Sequence, residues 1–522
     1  MEVQNSTMIG WPVSLRAEIR IVDNPELGRR RGLLSSNTLT SGQVRTTMLK
    51  PSVDLRAPVT QSKPTAEPWP NPELAMEPAM RRLSWSLNIL LSPLILSAGA
   101  DLGAETKNLQ ASSENNWIDV RSFGAAGDGH RDDTDPVTRA VSEGIKTGRT
   151  VYFPQGTYTV SRPIVITAHG LTLRGDGASH SVIKAAAPMD RMLYLRGTEI
   201  VVAGLMFDAN DKAVYGIHAF HLNEHLSRLE FLYVVRARSH GFLLDHSQCM
   251  EIVNSKAQNN GGDGFHITDC NATTVRHCRA MENFQRGFQI TSSDLSGGCY
   301  LLQCNAEING MEALLIANMS GTPTIVRDFW CEGNNPTGSG PHQYDAVRIA
   351  ARSVALNGCR ISTRGDAPIR AKFALRLAAD TNLGVETFSG AFRPGEPVTG
   401  TQSGASGIVD AWQADPLFTD QFPIPAPYTK WLERSRNLLL REVSGSFVDG
   451  ETVIGGQSGA KATVSAISVI AAQNCSIADV WIAREQGAAP VDRVFIESGC
   501  KANQIGEVFR MFGPGRVKVE RQ

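Results

Sequence analysis

The 522-residue sequence predicts an all-β fold: a right-handed parallel β-helix (solenoid) with a short N-terminal capping helix and small inserted β-modules. Three observations carry that expectation. A four-residue strand pattern returns six times at short spacing, and a column of small interior-type residues returns with it. Gly is also abundant (48 residues) while aromatics are scarce (7%), which favours many turns over one large core.

The repeats begin at Gly216, Gly241, Gly264, Gly287, Ala313 and Ala346, separated by 25, 23, 23, 26 and 33 residues. Strand side chains alternate faces, so the first and third residues after each start point inward. These are Phe242 and Leu244, Phe265 and Ile267, Phe288 and Ile290, Leu314 and Ile316, and Val347 and Ile349. So short a period has no room for a helix, so stacked coils must bury one another's inner faces. Ser255, Cys278, Cys304, Cys331 and Cys359 recur in step and are expected to stack inside, ~4.8 Å apart, as free thiols. Asn259, Asn283, Asn309 and Asn334 follow and read as a turn ladder whose amides satisfy corner backbone groups.

Residues 1–79 lack sustained periodicity and carry a Pro-rich run at 64–78, expected as a disordered or non-mature extension. Residues 80–104 have the layout of a secretory signal peptide: Met80-Arg81-Arg82, an apolar stretch at 83–96, then Ala98-Gly99-Ala100. The stretch is short for a membrane span, so the mature chain is expected to be secreted, with a periplasmic or envelope location as the alternative. The β-helix and its cap are expected over 117–386. Two tandem β-repeats, 55 residues apart and joined by a Pro- and aromatic-rich linker, are expected over 387–466, and the helix continues and ends over 467–522. The first repeat carries Ser389-Gly390-Ala391-Phe392 and the second Ser444-Gly445-Ser446-Phe447.

Net charge is −1, which gives no basic field for nucleic acid. The nine cysteines form no Cys-x-x-Cys pair, and no phosphate loop, His-Glu-x-x-His helix or nucleophile elbow is present. Nucleotide enzymes, zinc proteases and serine hydrolases are thereby excluded.

The folded body opens with Ile118-Asp119-Val120-Arg121-Ser122-Phe123-Gly124-Ala125, Gly127-Asp128-Gly129 and Asp132-Asp133-Thr134. A helix is expected over 135–146, capped by Thr134 or Asp135, followed by Val151-Tyr152-Phe153-Pro154 and Leu171-Thr172-Leu173-Arg174-Gly175. This opening resembles the pectate-lyase-like β-helix superfamily, which includes rhamnogalacturonase, epimerase and phage tailspike members. The resemblance implies the fold, action on or binding of polysaccharide, and a homotrimer as one assembly. Phe207-Asp208-Ala209-Asn210 and Asp263-Gly264-Phe265 are similar to segments of bacterial mannuronan C-5 epimerases. The catalytic Asp-Pro-His-Glu of those enzymes would fall near 243–246, where this chain has Leu243-Leu244-Asp245-His246.

A column of polar residues precedes the repeat starts: Tyr215, His240, Asp263, Arg286, Glu312 and Asp345. Beside it stand the outward residues His218, His266, Gln289 and Arg348, with Asp245 further along. Lys and Glu would dominate a bland solvated face, whereas here His, Tyr, Asp and Arg meet within three coils. Uronan lyase or epimerase chemistry needs a cation on the C-5 carboxylate, a base for the C-5 proton, and an acid. Arg286 with Lys212 is the expected cation, His240 or His266 the base and Tyr215 the acid. Hydrolysis needs two carboxylates instead, with Asp263 and Asp245 as the pair and Glu312 as a third candidate. His218, Gln289, Glu312 and Arg348 are expected to bind substrate. No cofactor is required; calcium at Asp208 and Asp211 is the one metal considered. A non-catalytic glycan-binding adhesin or spike is the competing expectation.

Overall fold

The computed structural model describes residues 117–223, 227–292, 298–318, 321–334, 344–363, 373–413, 436–484, 493–510 and 517–522. The expected extension, the signal peptide and linker residues 414–435 lie outside them. No helix among the described residues is long and apolar enough to cross a membrane.

The described residues wind as a parallel β-helix of three sheets, two with twelve strands and one with eleven. Every pairing within them is parallel, and each strand pairs with its counterparts one coil before and one coil after. The six repeats lie side by side in the third sheet, in the expected register: Ile217, Phe242, Phe265, Phe288, Leu314 and Val347 are successive partners. Phe242, Phe265 and Phe288 are fully buried and stack nearly parallel, with ring centroids 4.7 and 4.8 Å apart. That distance is the strand spacing itself, so identical residues at one register position must stack.

Two columns differ in detail from the sequence expectation. Ser255, Cys278 and Cys304 stand just before successive strands of the second sheet, but Cys331 lies within its strand, opposite Ala306. Phe329 takes the column position instead and meets Phe288 edge-on at 5.7 Å. All nine cysteines are free thiols. The amide ladder begins at Asn260, not Asn259, whose φ of 55° places it in a turn. Asn260, Asn283 and Asn309 each donate to the next amide oxygen at 2.8–2.9 Å, ending on Asn334. Asn260 and Asn283 are 23 residues apart, the repeat step itself, and this was the signal that distinguishes the two asparagines.

Helix α1 (Thr134–Thr147) packs at the N-terminal end, burying Val137, Ala140 and Val141. Its N-cap is Asp133, one residue before the expected caps, and its carboxylate is turned away to bind the Ala126 and Gly127 amides. The Asp132-Asp133 pair is therefore structural.

The tandem repeats do not fold as separate modules. Strands Ala379–Ser389, Pro397–Gly400, Ser406–Trp412, Asn437–Ser444, Thr452–Gly455 and Lys461–Ala471 close into one antiparallel barrel. Half a barrel leaves open edges, and the two halves close each other's. They also cap one another reciprocally: Glu396 accepts from the Gln457 and Ser458 amides, and Glu451 from those of Gln402 and Ser403. The solenoid resumes beyond the barrel, where Ser476–Ala478 pairs with Val354–Asn357.

Phe265→Ala would empty the middle of the aromatic stack. We expect about 3–5 kcal/mol of destabilisation, read as a lower midpoint in urea denaturation, with the secondary structure retained in the absence of denaturant.

Candidate functional site

The polar column forms as a column. Tyr215, His240, Asp263, Arg286, Glu312 and Asp345 stand on successive coils beside the third sheet, yet all but His240 are buried. Their neighbours divide the column into a histidine-rich half and a half sealed by the barrel.

In the first half, His240, Asp263 and His266 converge. The His266 and His240 rings lie 4.2 Å apart, and Tyr215 stacks on His240 at 5.7 Å with ring planes 12° apart. Asp263 Oδ2 is 2.8 Å from Nδ1 of His266, while its own backbone N–H donates to Nδ1 of His240 at 3.0 Å. These two contacts assign opposite tautomers. His266 donates Nδ1–H to the carboxylate and keeps a lone pair on Nε2. His240 accepts at Nδ1, so its proton sits on Nε2. Burial pushes the His240 pKa down to about 3, helped by the neighbouring His266 and Arg286, so it is a neutral donor at ordinary pH. Burial opposes ionisation of Asp263, but the His266 hydrogen bond and the fields of His240, His266 and Arg286 outweigh it and hold the carboxyl at about 2.

A second histidine pair lies alongside. Asp245 is 2.5 Å from Nδ1 of His246 and 3.7 Å from Nε2 of His218. Arg191 donates to Nδ1 of His218 at 2.7 Å, so His218 carries its proton on Nε2. Burial holds it neutral, with a pKa of about 4. His246 is the reverse case: burial works against its charge, but Asp245 and Asp269 raise it to about 9. Asp245 is held well below the usual carboxylate range despite burial, chiefly by His246. Sequence reasoning passed over His246, although it directly follows Asp245.

The second half of the column is a docking interface. Arg286 is fully buried and donates to Glu312 (2.9 Å), Gln289 (2.9 Å) and both the carbonyl and carboxylate of Asp410 (2.8 and 2.7 Å). Arg348 pairs with Asp345 at 3.1 Å and with Asp380, and lies 3.6 Å from Asp410. Glu312 faces Arg441 at 3.6 Å. Asp380, Asp410 and Arg441 all come from the barrel, and Leu315, Ala317 and Ala350 pack beneath its Ala411, Leu439 and Ile470. The substrate-binding expectation for Arg286, Gln289, Glu312 and Arg348 is therefore corrected: all four are buried, Arg286, Glu312 and Arg348 against charges of the barrel and Gln289 against Arg286. Asp410 carried a signal in the sequence, since it is the one charge within Ile408-Val409-Asp410-Ala411-Trp412. Lys212 does not join Arg286 either; its ammonium donates to the Ala186 carbonyl at 2.5 Å.

As for metals, ligand atoms of His240, Asp263 and His266 lie within 4.8 Å of one another. As placed, Asp263 Oδ2 is bonded to His266 Nδ1 and His240 Nδ1 accepts from the Asp263 backbone, so an ion at those atoms would displace these hydrogen bonds. Of the two residues considered for calcium, Asp208 accepts from Nε of Arg236 at 2.9 Å and from its Nη2.

Comparison with known proteins fits this picture. The family model for rhamnogalacturonase A/epimerase, pectate lyase-like, matches residues 117–362. That match, over just under half of the chain, and the three stacked parallel sheets together support a pectate-lyase-like β-helix. A glucan 1,3-beta-glucosidase of Cochliobolus carbonum is 24% identical over 339 residues, covering 54% of this chain and 42% of that protein. A probable glucan endo-1,3-beta-glucosidase of Arthroderma benhamiae is 43% identical over 77 residues, covering 13% of this chain and 9% of that protein. The chain thus spans less than half the length of these curated relatives. Among solved structures, the mannuronan C-5 epimerase A-module of Azotobacter vinelandii is 14% identical with a TM-score of 0.45, covering 77% of this chain and 100% of that one. The Streptococcus pneumoniae surface adhesin PfbA is 10% identical with a TM-score of 0.41, covering 75% and 90%.

Two predictions follow from the charges. Asp410→Leu would leave Arg286 and Arg348 under the barrel without their shared carboxylate. Removing one partner of a buried pair costs about 3–5 kcal/mol, so earlier protease cleavage in 379–471 is expected. The histidines should shape stability in opposite senses. His246, raised from 6.5 to about 9, stabilises fully below pH 6.5, and that contribution is lost as pH climbs through 9. His240, lowered from 6.5 to about 3, stabilises above pH 6.5, and that contribution is lost as pH falls toward 3. Denaturation across pH should therefore show a flatter alkaline limb in His246→Gln and a flatter acid limb in His240→Gln.

Proposed function

We propose that this chain is a polysaccharide-active enzyme working by base-driven lyase or epimerase chemistry on a uronic-acid-containing polymer. The observation that carries the reading is the Asp263–His266 pair beside a neutral, donating His240. Asp263 fixes the His266 tautomer and supports the imidazolium that forms when Nε2 accepts a proton. His266 Nε2 takes the C-5 proton of the sugar. The Nε2–H of His240 donates to the uronate carboxylate, where charge builds in the enolate, as a preorganised neutral donor can. Tyr215, stacked on His240, gives its phenolic proton to the departing glycosidic oxygen in the lyase case. In the epimerase case it gives the proton to the opposite face of C-5. With Arg286 committed to the barrel, His240 takes over the role expected of that cation. A polymer of this size is met outside the cell, so extracellular action belongs to the same reading.

A second reading is hydrolysis, favoured by the glucan-glucosidase relatives and by the loss of Arg286 and Arg348 to the barrel. Asp245 and Asp263 are both held ionised, so neither supplies the acid of a carboxylate pair. His246, protonated up to about pH 9, would be the acid, and His266 would activate the water.

Incubation with uronan and neutral polysaccharides separates the readings. Unsaturated uronate ends indicate the lyase, altered C-5 configuration the epimerase, and new reducing ends without unsaturation the hydrolase. Under the first reading, His266→Gln and Asp263→Asn should each lower kcat by about 10²–10⁴-fold. Binding of polymer with none of these products would make the protein an adhesin and sink the enzymatic reading.

A further inference from the structure

A concavity of about 520 Å³ lies away from the histidine cluster, at the corner where the first sheet turns into the second. Its lining includes Phe231, Tyr233, Arg174 and Lys256. The corner residue has a left-handed backbone in coil after coil. Elsewhere this position is Gly204, Asn254, His277, Gln303, Asp328 or Gly358, all polar or glycine. Phe231 alone is apolar, at a φ of 52° and 55% exposed. A bulky apolar residue carries backbone strain there and is only half-buried, so packing gives little reason for it.

The polar groups around it leave positive charge available. Asp176 already accepts from the Tyr152 hydroxyl and the Gln155 amide, and Glu230 pairs with Arg228 at 3.0 Å. Among the described residues, neither Arg174 nor Lys256 donates a side-chain hydrogen bond. The Lys256 ammonium sits 4.9 Å from the centre of the Tyr233 ring. An aromatic face beside available cations suits a sugar ring bearing a carboxylate, with its C–H face on the ring and its charge on the cations.

The pocket also opens onto a row. Outward residues of the second sheet in register with Tyr233 and Lys256 continue through Arg279 (paired with Glu307) and Asn305 to Trp330, Arg360 and Trp481, one strand (~4.8 Å) per step. Arg360 lies 3.9 Å over the Trp330 ring, and Trp330 and Trp481 are exposed. A row of rings and cations at that interval suits a linear acidic chain better than a single sugar.

We propose that this corner pocket and the row beyond it form a second, non-catalytic binding site for an acidic polysaccharide. The uronate character of the ligand rests on the function proposed above; the location does not. The test uses the full chain carrying His266→Gln, which prevents turnover, and titrates oligogalacturonate and oligomannuronate, each beside its methyl-esterified, neutral form. Phe231→Ala, and Arg174→Gln with Lys256→Gln, should each raise Kd at least ~10-fold, while Phe231→Tyr should keep the affinity. Unchanged Kd in these variants, equal affinity for the esterified forms, or no binding of either acid would overturn the site. With His266 intact, the Arg174→Gln/Lys256→Gln chain should retain its turnover of short substrates. Loss of binding in a chain that never shows turnover would leave this site standing and the catalytic reading fallen.

Discussion

The parallel pairing of each coil with the next, at one strand spacing and without slippage, is the constraint on which the rest of the molecule depends. At ~4.8 Å per step a residue's neighbours are the residues one period away, so each register position becomes a column. A column of Phe stacks rings, and a column of Asn passes hydrogen bonds from amide to amide, as Asn260 through Asn334 do. A slip of one residue would turn the Phe242–Phe265–Phe288 stack outward and the polar column inward. The aromatic stack and the site beside it are two consequences of one register.

That register brings ionisable groups closer than solvent-exposed chemistry would allow, and burial then sorts them. His240 and His246 start from the same ordinary pKa and end on opposite sides of neutrality. Burial lowers both; the difference lies in the charges each ring meets. For His240, His266 and Arg286 add to burial and Asp263 offsets them only in part, while His246 has the Asp245 carboxylate 2.5 Å away, which with Asp269 outweighs burial and favours the cation. The site thus holds a neutral donor, a carboxylate-oriented ring and a charged ring within neighbouring coils.

The barrel sets where that site ends. Its Asp380, Asp410 and Arg441 meet Arg286, Glu312 and Arg348 in a buried network, and the apolar contacts around Leu315 and Leu439 exclude water from it. Buried ion pairs add little net stability against well-packed apolar residues, but they punish misplacement strongly. The network therefore fixes the seat of the barrel more than it strengthens it. Half of an otherwise uniform polar face becomes interface, and the histidine half is not covered by the barrel.

Periodicity by itself determined the coil, the inward residues, the register of the third sheet and the gathering of Tyr215, His240, Asp263 and His266, because those are matters of spacing along one chain. It did not determine that Cys331 would leave its column, because only the pairing of its strand sets Cys331 opposite Ala306. Nor did it determine that Arg286 and Arg348 would be consumed, because Asp380 and Asp410 lie outside the coil repeat and only folding brings them over. The tautomers of His240 and His266 were likewise beyond the sequence, since a backbone N–H and a carboxylate oxygen about 3 Å away decide them. Local pattern sets which residues can meet; three-dimensional packing sets which of their charges are left to act.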